Sequence, residues 1–435
     1  MVSLTHVCRY WRKAITSSPR NWASIGSEWK RLVPLCLERA GLVPLTADIT
    51  ISDIKVDAVF LRTFLPHTSR IIHLSLTECS SIEAVAIAVP DFFASTIHSL
   101  TSLELQQTAD PVELFPSGTP PAFPFSWKLP KLESLRLTRV PLYPALASVT
   151  SLTELKLVGY ATPFHFWKFI EFLRCNPNLE LITLDIPFAE CPIWVIYPRK
   201  VSFSRLRYLS FTCTDPCDAR GLISYASLPR GVHLEVVSSP AIPYADLGSF
   251  LPSCPTEIQN VLTPITTVKY QDRPRVIQLY GNKSCFSFRC HSPSSFVIYS
   301  EFPLFAITTV REFHINSFHD LLLPLSRLPA LETLVLVDAP SPPFPVRPFA
   351  FLAQEPVLCP SLKTIAFFDC NLDRRVIEDL EEMVAKRKES TAAWLYRIVI
   401  VRKSGALPDH ELIHRLRKSV PCVDARIDEK LPDLS

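Results

Sequence analysis

Glycine is scarce in this chain, nine residues in 435, against an ordinary share of about 7%. That scarcity excludes a class of chemistry. Loops that cradle phosphates need glycine so that backbone amides can approach the anion, and no Gly-x-Gly or Walker-type loop occurs. Gly-x-Ser-x-Gly is absent too, and Ser, His and Asp are too dispersed to assign a triad. Charge of one sign is also lacking. A formal net charge of +3 over this length gives no overall basic field for nucleic acid. No apolar run approaches the roughly 20 residues that span a bilayer, and the N-terminus carries no apolar signal segment. The thirteen cysteines are odd in number and contain no Cys-x-x-Cys pair, so neither a disulfide framework nor a zinc ribbon is signalled. Cys213-x3-Cys217 and Cys285-x4-Cys290-His291 come closest to ligand spacing, and each lacks a second pair. These absences imply a cytoplasmic and/or nuclear protein with reduced thiols, no cofactor, and neither nucleic acid nor membrane as a partner.

Proline is plentiful instead. Forty prolines mark rigid connections between short elements, as at 116–124 and 340–348. Between such connections a short apolar unit recurs from residue 70 onward, Leu-x-x-Leu-x-Leu with conservative swaps. Its first block is Ile71/Leu74/Leu76, Leu100/Leu103/Leu105, Leu132/Leu135/Leu137, Leu152/Leu155/Leu157, Leu179/Ile182/Leu184 and Leu206/Leu209/Phe211. Its second is Val310/Phe313/Ile315, Leu331/Leu334/Leu336, Leu362/Ile365/Phe367 and Leu395/Ile398/Ile400. The last two positions of each unit lie two apart, on one face of a strand. Within each block, successive units start 20 to 33 residues apart, which fits a strand plus a return segment in each solenoid turn. The expected fold is α/β: an irregular leucine-rich-repeat-like solenoid with a parallel sheet.

Its best unit, 362–372, fills all five template positions with Leu362, Ile365, Phe367, Cys370 and Leu372. Cys79 stands at the matching place in 71–81, and most other units lack Asn or Cys there, so the turns should be uneven. Caps are required because a repeat cannot bury its terminal faces alone. Pro34 opens and Gly41 ends a short helix near the start, while Asp373 is a candidate N-cap for a helix over 374–388. Residues 255–300 break the rhythm. Val276–Tyr280 and Cys285–Cys290 alternate around 281–284 like a β-hairpin, with Phe296–Tyr299 as a candidate third strand, so this stretch reads as a β insertion or as two distorted repeats. The positions between the paired leucines, among them Ser75, Glu104, Arg136, Lys156, Thr183, Ser210, His314, Val335 and Ala366, should form an exposed binding face.

Ahead of the repeats, Val7, Trp11, Ala14 and Ile15 recur at helical spacing with Arg9, Arg12 and Lys13 opposite. So short a helix needs a partner surface. Ser17 and Ser18 stop it, and Pro19 starts another turn. The run Val7-Cys8-Arg9-Tyr10-Trp11-Arg12, followed by Pro19-Arg20-Asn21-Trp22, resembles the second half of an F-box. Its continuation resembles the fungal branch of that family, which joins the F-box to a leucine-rich-repeat-like body. The family's Leu-Pro-x-Glu first half does not appear before Val7, so the F-box is read as N-terminally truncated. The resemblance implies a substrate-recognition subunit of a cullin-type (SCF) ubiquitin ligase that is not itself an enzyme. A Skp-type adaptor and cullin complex would meet Val7, Cys8, Trp11, Pro19 and Trp22, and an unknown protein substrate would meet the repeats. The implied division is 1–27 partial F-box, 28–69 linker helix and first strand, and 70–435 repeat domain with a helical C-terminal cap. The alternative is a protein-interaction scaffold without ubiquitin coupling. A remote alternative is a zinc hydrolase, since His410-Glu411-Leu412-Ile413-His414 matches H-E-x-x-H, although no further His follows in the chain.

Overall fold

The computed structural model describes residues 8–79, 89–92, 98–107, 129–140, 149–159, 164–189, 200–213, 215–239, 250, 264–272, 275–281, 283–290, 307–316, 325, 328–339, 347, 349, 352, 358–389, 394–403 and 410–427. It is a mixed α/β protein with a large, mostly parallel sheet. Two compact units divide the chain, Met1–Pro229 and Arg230–Ser435.

In the first unit eight described strands pair in chain order, each parallel to the one before: β1 (Ser24–Gly26), β2 (Leu45–Thr50), β3 (Ile71–Cys79), β4 (Ser102–Gln107), β5 (Ser134–Thr138), β6 (Glu154–Val158), β7 (Leu181–Asp185) and β8 (Tyr208–Cys213). β1 lies within the segment that carries the F-box resemblance, so pairing into the sheet begins well before residue 70. The register puts the leucine units side by side. Leu74, Leu103, Leu135, Leu155, Ile182 and Leu209 are successive cross-strand partners, and so are Leu76, Leu105, Leu137, Leu157, Leu184 and Phe211. All twelve are buried, as are the six leading positions from Ile71 to Leu206. Each buried leucine contributes on the order of 1.5–3 kcal/mol relative to exposure, and only in this register do all of them reach one core. A shift by one residue would turn the whole row to the opposite face.

Helices lie before, between or after these strands: α1 (Arg9–Ser17), α2 (Val33–Ala40), α3 (Ile54–Arg62), α4 (Phe166–Arg174) and α5 (Pro216–Tyr225). α2 starts with proline in its first turn and ends at Gly41, whose φ of +55° suits a residue without Cβ.

The second unit holds nine described strands: β9 (His233–Ser238), β10 (Thr267–Asp272), β11 (Arg275–Tyr280), β12 (Cys285–Cys290), β13 (Glu312–Ile315), β14 (Thr333–Val337), β15 (Thr364–Phe368), β16 (Arg397–Arg402) and β17 (Cys422–Ile427). Their spatial order is β9-β12-β11-β10-β13-β14-β15-β16-β17. β11 runs antiparallel to both neighbours, and every other pair is parallel. The alternating stretch 276–290 is therefore a hairpin, closed where the Gly281 amide donates to the Ser284 carbonyl at 2.8 Å. The third antiparallel strand is β10, on the near side of the hairpin; the candidate strand Phe296–Tyr299 lies outside the described residues. Beyond the hairpin the ladder resumes, with Phe313, Leu334, Ile365 and Ile398 in one buried row and Ile315, Leu336, Phe367 and Ile400 in the next. α6 (Arg374–Glu389) follows β15, its Val376 amide donating to the Asp373 carboxylate at 2.9 Å, and α7 (His410–Ser419) follows β16.

Turns are tied to one another by a repeated backbone device. Arg139, Gly159, Asp338 and Asp369 each follow a strand with φ between 49° and 74°, and each donates its amide to a carbonyl near the end of the next strand, Val158, Asp185, Phe368 and Val401 respectively. Buried polar side chains add further ties. Asn176 accepts from the Leu152 amide and donates to the Val149 and Phe172 carbonyls, and Arg387 donates to the Leu358 and Cys359 carbonyls. Cys370 is buried, donates its thiol to Phe368 and receives the Ala339 amide from the preceding turn. Two buried helix carboxylates reach back 30 residues: Asp218 accepts from the Phe188 amide and Asp379 from the Phe349 amide.

Burial pushes the Asp218 carboxyl up from an ordinary 3.8 to about 7, against the opposing hydrogen bond from Phe188. The native state then holds a proton that the unfolded chain releases. Its contribution to stability is fully present below about pH 4 and is lost as the pH rises through about 7. Asp218→Asn keeps an acceptor for Phe188 and removes the charge. Denaturant titrations across pH 4–8 should show that this variant has lost part of the fall in stability, and identical pH dependence of the two proteins would contradict the assignment.

Candidate functional site

Three places carry residues that the sequence marks for function. At the N-terminus, α1 leaves its described side chains largely in solvent, with Tyr10 77% exposed and Cys8, Arg9, Arg12 and Lys13 all exposed. Pro19 is also exposed and opens the 3-10 turn Pro19–Trp22. Trp22 behaves differently. It is only 5% exposed, packs with α2, and receives the Arg39 guanidinium 4.5 Å from its ring centroid. Val7 and the side chain of Trp11 lie outside the described residues. Of the five residues implied by the resemblance, Cys8 and Pro19 face solvent while Trp22 belongs to the fold's own interior.

The second place is the face between the paired leucines. In the first unit its central row is Ser75, Glu104, Arg136, Lys156, Thr183 and Ser210. Arg136 pairs with Glu154 at 2.8 Å and approaches Glu104 at 3.9 Å, and Ser134 donates to Glu154 at 3.0 Å. Arg136 and Lys156 are exposed, whereas Ser75 and Ser210 are buried. In the second unit the expected exposure fails more completely. Val335, Val337, Ala366, Val399 and Val401 form a buried apolar cluster with Phe368 packed against it. The physical signal lies in the strands themselves: β14 and β16 are near-continuous apolar runs, the pattern of strands buried on both faces.

Beside that cluster, at the carboxyl ends of β10, β13 and β14, is a cavity of about 480 Å³. Lys269, Gln278, Arg289 and His314 converge on it, with Val276 and Val337 as apolar wall and Asp338 also lining it. Strand pairing explains the convergence, since Lys269 is the register partner of both Gln278 and His314, and Val276 is the partner of Arg289. Lys269 Nζ sits 5.0 Å from the Tyr280 ring centroid, and the Tyr280 hydroxyl donates to Gln278 Oε1 at 2.9 Å. Arg289 lies 3.7 Å from Glu235. His314 Nε2 lies 2.7 Å from Glu312 Oε1, and this hydrogen bond holds the Glu312 carboxyl below its ordinary range. An ionised carboxylate only accepts, so Nε2 carries the proton. His314 Nδ1 is then left buried, with no hydrogen-bond partner among the described residues. Burial pushes Tyr280 up to about 12 and Cys285 up to about 11, so both stay protonated near neutrality. The sequence alternation marked the hairpin but not this cavity, because the lining depends on a strand order that departs from chain order.

The third place is α7. His410, Glu411 and His414 are exposed, Ile413 and Leu416 are buried, and Arg415 pairs with Glu381 of α6. No group of three His, Cys, Asp or Glu suited to a metal occurs among the described residues, so the H-E-x-x-H pair gains no third ligand there. Among them, too, no helix is long and apolar enough to cross a membrane.

No family model matches this chain, and no curated protein matches it.

The buried state of Trp22 yields a direct expectation. Trp22→Ala removes an interior ring and its cation contact, and should cost about 3–5 kcal/mol of stability. Chemical denaturation measures this; a change below about 1 kcal/mol would show that the ring is not part of the first unit's core.

Proposed function

We propose that the chain is a substrate-recognition subunit of a cullin-type ubiquitin ligase, with an irregular leucine-rich-repeat-like solenoid as the target-binding body. The N-terminal helical segment docks a Skp-type adaptor, and the protein acts in the cytoplasm or nucleus. One observation carries the reading more than any other: the helix Arg9–Ser17, whose described side chains are largely exposed and which begins within the Val-Cys-Arg-x-Trp-Arg motif, leads into parallel strands stacked in chain order. Stacking of short strands with apolar pairs in register is what a solenoid requires. The repeated left-handed exit from strands and the 30-residue ties at Asp218 and Asp379 support the same reading.

The chain would break no bond itself. Its contribution is proximity, because holding a target lysine near a loaded ubiquitin carrier raises effective concentration. The second reading, an interaction scaffold without ubiquitin coupling, draws on Trp22, which is occupied inside its own unit.

Purified full chain mixed with a Skp-type adaptor should give a complex on size-exclusion chromatography. Trp11→Ala should weaken that complex at least tenfold while leaving the unfolding midpoint within about 2 °C. Absence of any complex with the unmutated chain leaves the scaffold reading.

A further inference from the structure

The cavity beside β10 and β11 has a composition that selects a ligand, and it lies in the second unit, apart in sequence from the N-terminal helix. Buried polar atoms in native proteins are nearly always satisfied, so the lone Nδ1 of His314 calls for a partner. Its tautomer fixes what that partner must be. In the tautomer that gives Nε2–H to Glu312, Nδ1 is an acceptor, and an N–H or O–H donor of a ligand suits it.

Lys269, Arg289 and the Gln278 amide supply the opposite chemistry on the same cavity. Gln278 Oε1 is held by Tyr280, which leaves the amide's NH2 as its remaining donor. These groups suit an anion. Glu235 beside Arg289, Glu312 beside His314 and Asp338 in the lining already offset part of the positive charge, so a single negative charge fits better than a doubly charged phosphate. The remaining wall is apolar. Across the sheet the lining runs from β12 to β14, four strand spacings or roughly 19 Å. That span exceeds a lone carboxylate and accommodates an adjoining side chain and peptide group.

We propose that this cavity binds an acylated amino-acid carboxylate, the chemistry of a peptide's C-terminal residue. The carboxylate meets Lys269 and Arg289, the last amide N–H donates to His314 Nδ1, and an apolar side chain packs on Val276 and Val337. Capture of a chain terminus by convergent donors is an established recognition mode, and the volume lies in the range of small-ligand sites.

Two sources share this chemistry, a protein C-terminus and a free N-acyl amino acid, and one experiment separates them. Fluorescence polarisation of the full chain would use a labelled octapeptide ending in leucine with a free carboxylate, competed by its C-terminally amidated form and by N-acetyl-leucine. The acid peptide should bind, and the amide should compete at least tenfold more weakly. Competition by N-acetyl-leucine at concentrations near the peptide's own would assign the site to small acids, and weak competition would assign it to protein termini. Lys269→Gln and Arg289→Gln should each weaken binding tenfold or more. Gln278→Glu, which keeps side-chain size and adds a negative charge, provides a second test if either fails to fold. Equal competition by the amide, no detectable binding of either acid, or full binding by a folded Gln278→Glu variant would overturn the proposal.

Discussion

The whole architecture depends on one constraint: apolar pairs spaced two apart must meet their counterparts on the neighbouring strand. Leu155 and Leu157 are buried only because Leu135 and Leu137 lie on one side of them and Ile182 and Leu184 on the other. Parallel pairing demands a long return segment for each strand, and that explains why proline-rich connections and short helices take up so much of the chain. It also explains why the scarcity of glycine is tolerable. A left-handed residue is needed after several strands, and Asp338 and Asp369 fill it, since a short polar side chain tolerates that conformation better than most. Arg139 does so without that advantage.

Stacking alone does not fix the distance between turns, because dispersion and burial are weakly directional. Direction comes from the buried polar ties. Asn176 binds backbone groups at residues 149, 152 and 172 at once, and Asp218 and Asp379 each hold an amide 30 residues upstream. Such a group is expensive to bury and costs more still if its partner is lost. Each tie therefore penalises a slipped turn more strongly than a missing methyl would.

The core was legible in the sequence because it follows a period of two with fixed offsets. All ten triplets are buried, and the 276–290 hairpin and the Asp373-capped helix stand where alternation and capping chemistry place them. The outward faces were less legible. Reading Val335 and Ala366 as exposed assumed that one face of every strand meets water, whereas β14 and β16 are apolar on both sides. Trp22 shows the same difficulty at the N-terminus. Spacing places it in a motif, but only its burial in the folded unit reveals that it points inward. The cavity was least legible of all, since its lining requires knowing that β11 sits between β12 and β10.

That inserted strand has a consequence for function. In a run of identical parallel turns, equivalent side chains repeat along a row, and like residues stack on like. β11 runs the other way, so Gln278 and Val276 enter the rows of Lys269 and Arg289 from a different repeat phase. Unlike side chains are thereby brought together: a cation, an amide, an imidazole and an apolar wall within one cavity. Selective binding needs donors, acceptors and apolar surface at defined positions, and a break in strand regularity is one way to bring them together. The interruption of the leucine rhythm includes β10 to β12, where the described strands depart from chain order and where these unlike groups meet.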